Sequence, residues 1–116
     1  MKNSKTPALR RFESDMRRLL TTLLQRDVDD PMLQGMSLTR FELSDANGQA
    51  IAYVHSMLPV EKDEAVRRLN SLRSNFLHLL RKAMPKKRLP DLVFRWDDAL
   101  DSTHRVMDTM QGLKQP

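Results

Sequence analysis

Residues Lys62 to Trp96 read KDEAVRRLNSLRSNFLHLLRKAMPKKRLPDLVFRW. Leu69, Leu72, Phe76, Leu80 and Ala83 recur at three- and four-residue intervals, which predicts helix from about Lys62 to Met84, where Pro85 closes it. Asn70-Ser71 and Ser74-Asn75 fall mid-run. Their short polar side chains compete for backbone hydrogen bonds, so the pattern predicts two helices with a kink or break between them instead of one straight rod. Leu92-Val93-Phe94-Arg95-Trp96 then reads as a strand. A strand that returns to a sheet through a helical segment implies a parallel, right-handed crossover, and so a mixed fold.

The same stretch carries the strongest charge signal. Between Ala65 and Pro90 lie Arg67, Arg68, Arg73, Arg81, Lys82, Lys86, Lys87 and Arg88, without one Asp or Glu. Acids flank it on both sides, with Glu61, Asp63 and Glu64 before it and Asp91, Asp97, Asp98 and Asp101 after it. The formal net charge of +5 therefore understates the local field. A helix with one apolar stripe and a cationic outer face suits a polyanionic partner.

Working outward, Thr6-Pro7 is a good helix opening, and Leu9, Phe12, Met16, Leu19, Leu20, Leu23 and Leu24 share one face of a helix to about Gln25. Asp29-Asp30-Pro31 stops it. Met36 to Ser44 and Gln49 to Leu58 read as strands joined by turn residues Asp45-Ala46-Asn47-Gly48, an antiparallel hairpin. Met36 and Leu38 have one parity while Phe41 and Leu43 have the other, which a bulge near Thr39-Arg40 reconciles. Asp98 or Asp101 is the expected cap of a short last helix carrying Val106, Met107, Met110 and Leu113.

The 116 residues fit one domain, with a core at about 7–98 and a short C-terminal helix or tail at about 99–116. No run is long and apolar enough for a membrane span, and the amino terminus lacks a signal-peptide core, so a cytoplasmic monomer without membrane contact is expected. The chain has no Cys, which excludes disulfides and thiol catalysis. Aromatics at 5% are too few and scattered for an aromatic sheet platform, and Tyr53 reads as a semi-buried sheet residue.

Three segments carry a family resemblance. They are Leu23-Leu24-Gln25-Arg26-Asp27-Val28-Asp29-Asp30-Pro31-Met32-Leu33, then Phe41-Glu42-Leu43-Ser44 with Ala50 to Val54, and Leu79-Leu80-Arg81-Lys82-Ala83-Met84 followed by Leu89-Pro90-Asp91-Leu92-Val93-Phe94 and Asp97. In this order and spacing, from roughly Arg10 to Met110, the chain resembles bacterial ribosome-binding factor A. The resemblance implies an α+β, type II K-homology-like fold, helix-strand-strand-broken helix-strand, without the Gly-x-x-Gly loop. It implies a non-catalytic factor that binds the immature small ribosomal subunit and its rRNA, assists late rRNA maturation, and in many members is associated with growth in the cold. The family's Ala-x-Gly helix break is matched here by Leu72-Arg73-Ser74, and its Ser-x-Asp turn is altered to Ser44-Asp45-Ala46-Asn47, which makes this a divergent member.

Helical rotation puts Arg67, Ser71, Ser74, His78, Arg81 and Lys82 opposite the apolar stripe, and Lys86-Lys87-Arg88 extends that surface into a loop. With Arg73, and with Arg11 and Arg18 of the first helix, these are the expected RNA-binding residues, supplying cations and hydroxyls for phosphate and ribose. No catalytic constellation, cofactor motif or metal site is expected. Asp97, Asp98 and Asp101 read as helix capping, and His55, His78 and His104 lack ligand spacing. The alternative reading is a basic, helix-rich regulator that binds DNA or a protein.

Overall fold

The computed structural model of the protein describes residues 6–44 and 48–101. Helix α1 spans Pro7–Arg26. The Thr6 hydroxyl accepts from the Leu9 amide at 3.1 Å and Pro7 fills the first turn, the opening that the Thr-Pro pair predicts. After Asp27 a 3-10 turn, Pro31–Leu33, leads into strand β1, Met36–Ser44. Strand β2, Gln49–Ser56, pairs antiparallel with it, and the register slips between Leu38 and Arg40. That slip is the bulge the parity change demands, and it keeps both Met36 and Phe41 buried. The turn residues at 45–47 lie outside the described residues.

Strand β2 is shorter than the sequence suggests. It ends at Ser56; the Met57 amide still bonds the Gly35 carbonyl, one further step of the same register, and the Ser56 hydroxyl then accepts from the Leu58 amide as the chain turns toward Pro59. Gly35 is needed here, since a Cβ would sit 2.7 Å from Cγ of Leu58.

The broken helix is present, as α2, Lys62–Ser71, and α3, Arg73–Ala83. The break falls at Leu72, between the two polar pairs, with φ −95° and ψ 0°. Its φ is negative, and among the described residues only Gly48 has a positive one, so this bend makes no demand for glycine and Leu72-Arg73-Ser74 accommodates it. Strand β3, Asp91–Trp96, then runs parallel to β2, giving one three-stranded sheet in the order β1-β2-β3.

All three helices contribute to a single core on one face of that sheet. Met16, Leu20, Leu69, Phe76 and Leu80 meet Phe41, Ala52, Val54, Leu92 and Phe94 there. Each fully buried Leu or Phe contributes roughly 1.5–3 kcal/mol. The result is an α+β fold of helix, two strands, broken helix and strand.

After β3 the Asp97 amide extends the ladder to the Val54 carbonyl, and the chain enters a helical turn at residues 98–101. The cap is neither Asp98 nor Asp101. Asp97 performs it, accepting from the Ala99 amide at 3.2 Å while its second oxygen takes the Thr39 hydroxyl at 2.6 Å. Asp98 instead pairs with Lys62 at 3.2 Å. Asp101 bonds His55 and the Trp96 indole, each at 2.7 Å. The expected helix through Val106, Met107, Met110 and Leu113 lies outside the described residues.

Candidate nucleic-acid interface

The two halves of the broken helix handle their charge differently. On α2, Glu64 lies three and four residues before Arg67 and Arg68, the spacing at which helical side chains meet. Its carboxylate takes Arg67 Nε at 2.9 Å and Nη2 at 2.6 Å, and Arg68 Nε at 2.9 Å. The Arg68 guanidinium also reaches both oxygens of Asp30, each at 3.0 Å, tying α2 to the turn after α1. Hydrogen bonds from Arg67 and then Arg68 hold the Glu64 carboxyl well below the usual 4.5, at about 2. The Ser71 hydroxyl donates to the Arg68 carbonyl at 2.6 Å, closing the helix end. Arg67 and Ser71 are exposed, but each already has a partner within the chain.

Helix α3 is different. Buried Phe76 and Leu80 define its inner face. Rotation of about 100° per residue gathers Ser74, His78, Arg81 and Lys82 into one sector on the far side, and all four are exposed. Arg73, at the start of the helix, is exposed as well. Among the described residues no carboxylate pairs with Arg73, Arg81, Lys82, Lys86, Lys87 or Arg88.

The loop after α3 carries this cationic surface toward α1. Lys87 Nζ lies 5.6 Å from the centroid of the Phe12 ring. Arg88 borders a cleft of about 560 Å³ with Leu9, Phe12, Leu43 and Pro90. Arg11, the residue before Phe12 in the chain, is exposed. Arg18, two turns further along, is paired with Asp15 at 3.2 Å. The structure thus leaves Arg73, Ser74, His78, Arg81 and Lys82 of α3 and the Lys86–Arg88 run of the following loop exposed, with Arg11 exposed on α1. It sets Arg67, Ser71 and Arg18 apart as partnered groups.

Sequence reasoning missed Asn70. Its side-chain amide donates to the Phe94 carbonyl at 3.1 Å and accepts from the Phe94 amide at 2.8 Å. Both backbone groups face outward from edge strand β3, so Asn70 stands where a fourth strand would pair. The polar residue that weakens the helix also fixes its end to the sheet. No local spacing reports a contact between residues so far apart in the chain.

Known proteins share this fold. A family model for ribosome-binding factor A matches residues 8–110. The chain belongs to the ribosome-binding factor A family. The ribosome-binding factor A of Lactobacillus johnsonii is 29% identical over 108 residues, covering 90% of this chain and 87% of that protein. The crystal structure of ribosome-binding factor A from Thermus thermophilus superposes with a TM-score of 0.67 at 24% identity, over 75% of this chain and 92% of that one. A homology model of the Thermus thermophilus ribosome-binding factor A, fitted into a cryo-electron-microscopy map of a 30S–RbfA complex, gives a TM-score of 0.64 at 24% identity, over 76% and 93% of the two chains. The helix-strand-strand-broken helix-strand order is therefore the fold of ribosome-binding factor A, and this member builds its helix break without glycine.

Proposed function

We propose that the chain is a non-catalytic assembly factor that binds the immature small ribosomal subunit through its rRNA, in the cytoplasm, and assists late rRNA maturation. The observation that carries this reading is the unpaired cationic surface of α3 and the loop after it, from Arg73 to Arg88. Phosphate contacts from such a surface position a protein on folded RNA by charge and shape, without reading its sequence. The 30S–RbfA complex of the Thermus thermophilus relative supports the choice of partner. Among the described residues no helix is long and apolar enough to cross a membrane, and no group of three His, Cys, Asp or Glu side chains is placed to hold a metal ion.

Sucrose-gradient sedimentation of the tagged protein tests the reading. Co-migration with small subunits or their precursors is the expected result. Absence from those fractions, with equal affinity for duplex DNA, would instead identify a general basic regulator.

A further inference from the structure

The sheet has a second face, and one row across it is chemically distinct. Arg40 pairs in register with Tyr53, and Tyr53 with Arg95, so the three side chains lie side by side on β1, β2 and β3. Residues directly opposite in a sheet share a face. Each of the three alternates with buried neighbours, Phe41 beside Arg40, Ala52 and Val54 beside Tyr53, and Phe94 beside Arg95. The row therefore stands on the face opposite the buried core, and its Tyr53–Arg95 end borders a cleft of about 480 Å³ with Lys62, Asp63 and Val66 of α2. Arg40 and Arg95 are exposed and Tyr53 is half-buried. The Arg40 guanidinium carbon lies 4.0 Å from the Tyr53 ring centroid, a cation–π stack. Neither arginine is ion-paired among the described residues. The adjoining row is Glu42, Ile51 and Val93, which adds an apolar floor and one exposed acid on the β1 side.

We propose that the Arg40–Tyr53–Arg95 row is a second nucleic-acid contact, which takes one unpaired nucleotide of RNA on the sheet face opposite α3. The inference rests on the RNA-binding reading above and adds a site to it. Unpaired bases stack on aromatic rings and on guanidinium planes, and the Arg40–Tyr53 stack presents both in one preformed unit. Two strand spacings, roughly 10 Å, separate the backbones of β1 and β3, so Arg95 lies beside the stack and not on it. It is placed to meet the phosphate of a base held there. A single aromatic holds a single base, and every base has a π face, so the contact tolerates any sequence. Charge complementarity selects RNA as the occupant, since both free charges of the row are guanidiniums.

The test is fluorescence anisotropy of the full chain with a labelled, unstructured twelve-nucleotide RNA, alongside small-subunit sedimentation. Loss of one stacked base predicts about five- to tenfold weaker oligonucleotide binding for Tyr53→Leu, at the low end of what such stacks contribute. Tyr53→Phe keeps the stack and should bind within about twofold of the parent. Arg40→Gln combined with Arg95→Gln changes only exposed side chains, and should show a similar loss with the fold intact and at most a small drop in melting temperature from the lost cation–π stack. Wild-type affinity in both Tyr53→Leu and the double arginine variant overturns the site, even where reversal of Arg81 and Lys82 still weakens subunit binding. Loss in the arginine variant with none in Tyr53→Leu also overturns it, because an acidic protein surface would then serve as well. Wild-type protein missing from the small-subunit fractions overturns the underlying reading instead.

Discussion

Helices α2 and α3 are consecutive, similar in length and both rich in arginine, yet they do opposite work. Helix α2 directs its polar side chains to partners inside the molecule. Arg67 and Arg68 are held by Glu64, Arg68 also by Asp30, and Asn70 is locked to the edge of β3. Helix α3 has its buried stripe facing the same core, with the Phe76 ring 5.4 Å from that of Phe94 and tilted by 56°, but none of its outer cations is paired within the described chain. Leu72 is the joint between them. One half anchors and the other presents. A basic stretch in a sequence is thus not yet a basic surface, because acids just outside the stretch and acids distant in the chain decide which cations stay free.

The sharpest way to break that contrast is to reverse the presenting half. Arg81→Glu with Lys82→Glu should lower small-subunit affinity on the order of a hundredfold, through two lost phosphate contacts and two new repulsions. The slope of log affinity against log salt should flatten by about one unit for each lost contact. Both side chains are exposed and unpaired but stand in the last turn of α3, so the reversal should leave the fold intact and lower stability by about 0.5–2 kcal/mol through the helix dipole. Titrations across a salt series, with circular dichroism melts, read both quantities. An unchanged affinity and slope would reduce the cationic face to a solvated surface.

The converse change strikes the anchoring half. Asn70→Ala removes two hydrogen bonds and leaves the Phe94 amide and carbonyl on a partly covered strand edge. The expected cost is about 2–3 kcal/mol of folding stability, from two ordinary hydrogen bonds plus the desolvation of their orphaned partners. Denaturant unfolding measures it. Subunit affinity of the remaining folded protein should hold. A loss under about 0.5 kcal/mol would mean that water replaces the amide at the β3 edge and that Asn70 is no anchor.

Much of the fold is legible in the sequence because its signals are local. Thr6-Pro7 opens α1, the parity change between Leu38 and Phe41 reports the bulge, and Asn70-Ser71 with Ser74-Asn75 announces a broken helix. What escapes is set by tertiary partners. The break falls on apolar Leu72, because Asn70 is drawn to Phe94 and Ser71 to the Arg68 carbonyl. Of the three acids that read as capping, Asp97 is the one that caps the turn at residues 98–101, with the Thr39 hydroxyl at the β1 bulge bonded to its second oxygen. For the candidate site, the exposed sector of α3 follows from helical rotation alone. The pairing of Arg67 with Glu64 is within reach of the same rule, since the acid stands three residues earlier, one position before the acid-free run begins. The Arg68–Asp30 pair spans the interval from the first turn to the third helical segment, and no spacing rule reports it. The Arg40–Tyr53–Arg95 row needs the strand register, which the bulge shifts by one residue.

The smallest effect expected is the most specific to the contrast between the helices. Glu64→Gln removes the charge that holds Arg67 and Arg68 and leaves the side-chain shape. A carboxyl whose folded pKa, about 2, lies below its ordinary 4.5 adds stability that is fully present above pH 4.5. That contribution is lost as pH falls from about 4.5 through about 2, where the folded protein takes up the proton. The variant should therefore melt slightly below the parent at pH 7, and the gap should close on acidification across that window. Glu64 is partly exposed and its partners are surface arginines, so the difference is small and salt-sensitive. At pH 7 the freed Arg67 should steepen the salt dependence of subunit binding by at most about one unit, moving α2 a step toward the behaviour of α3. Melting curves at intervals from pH 7 to pH 2, at low and high salt, decide the matter. A gap that stays constant down to pH 2 would show that the carboxylate's charge is not what restrains the two arginines.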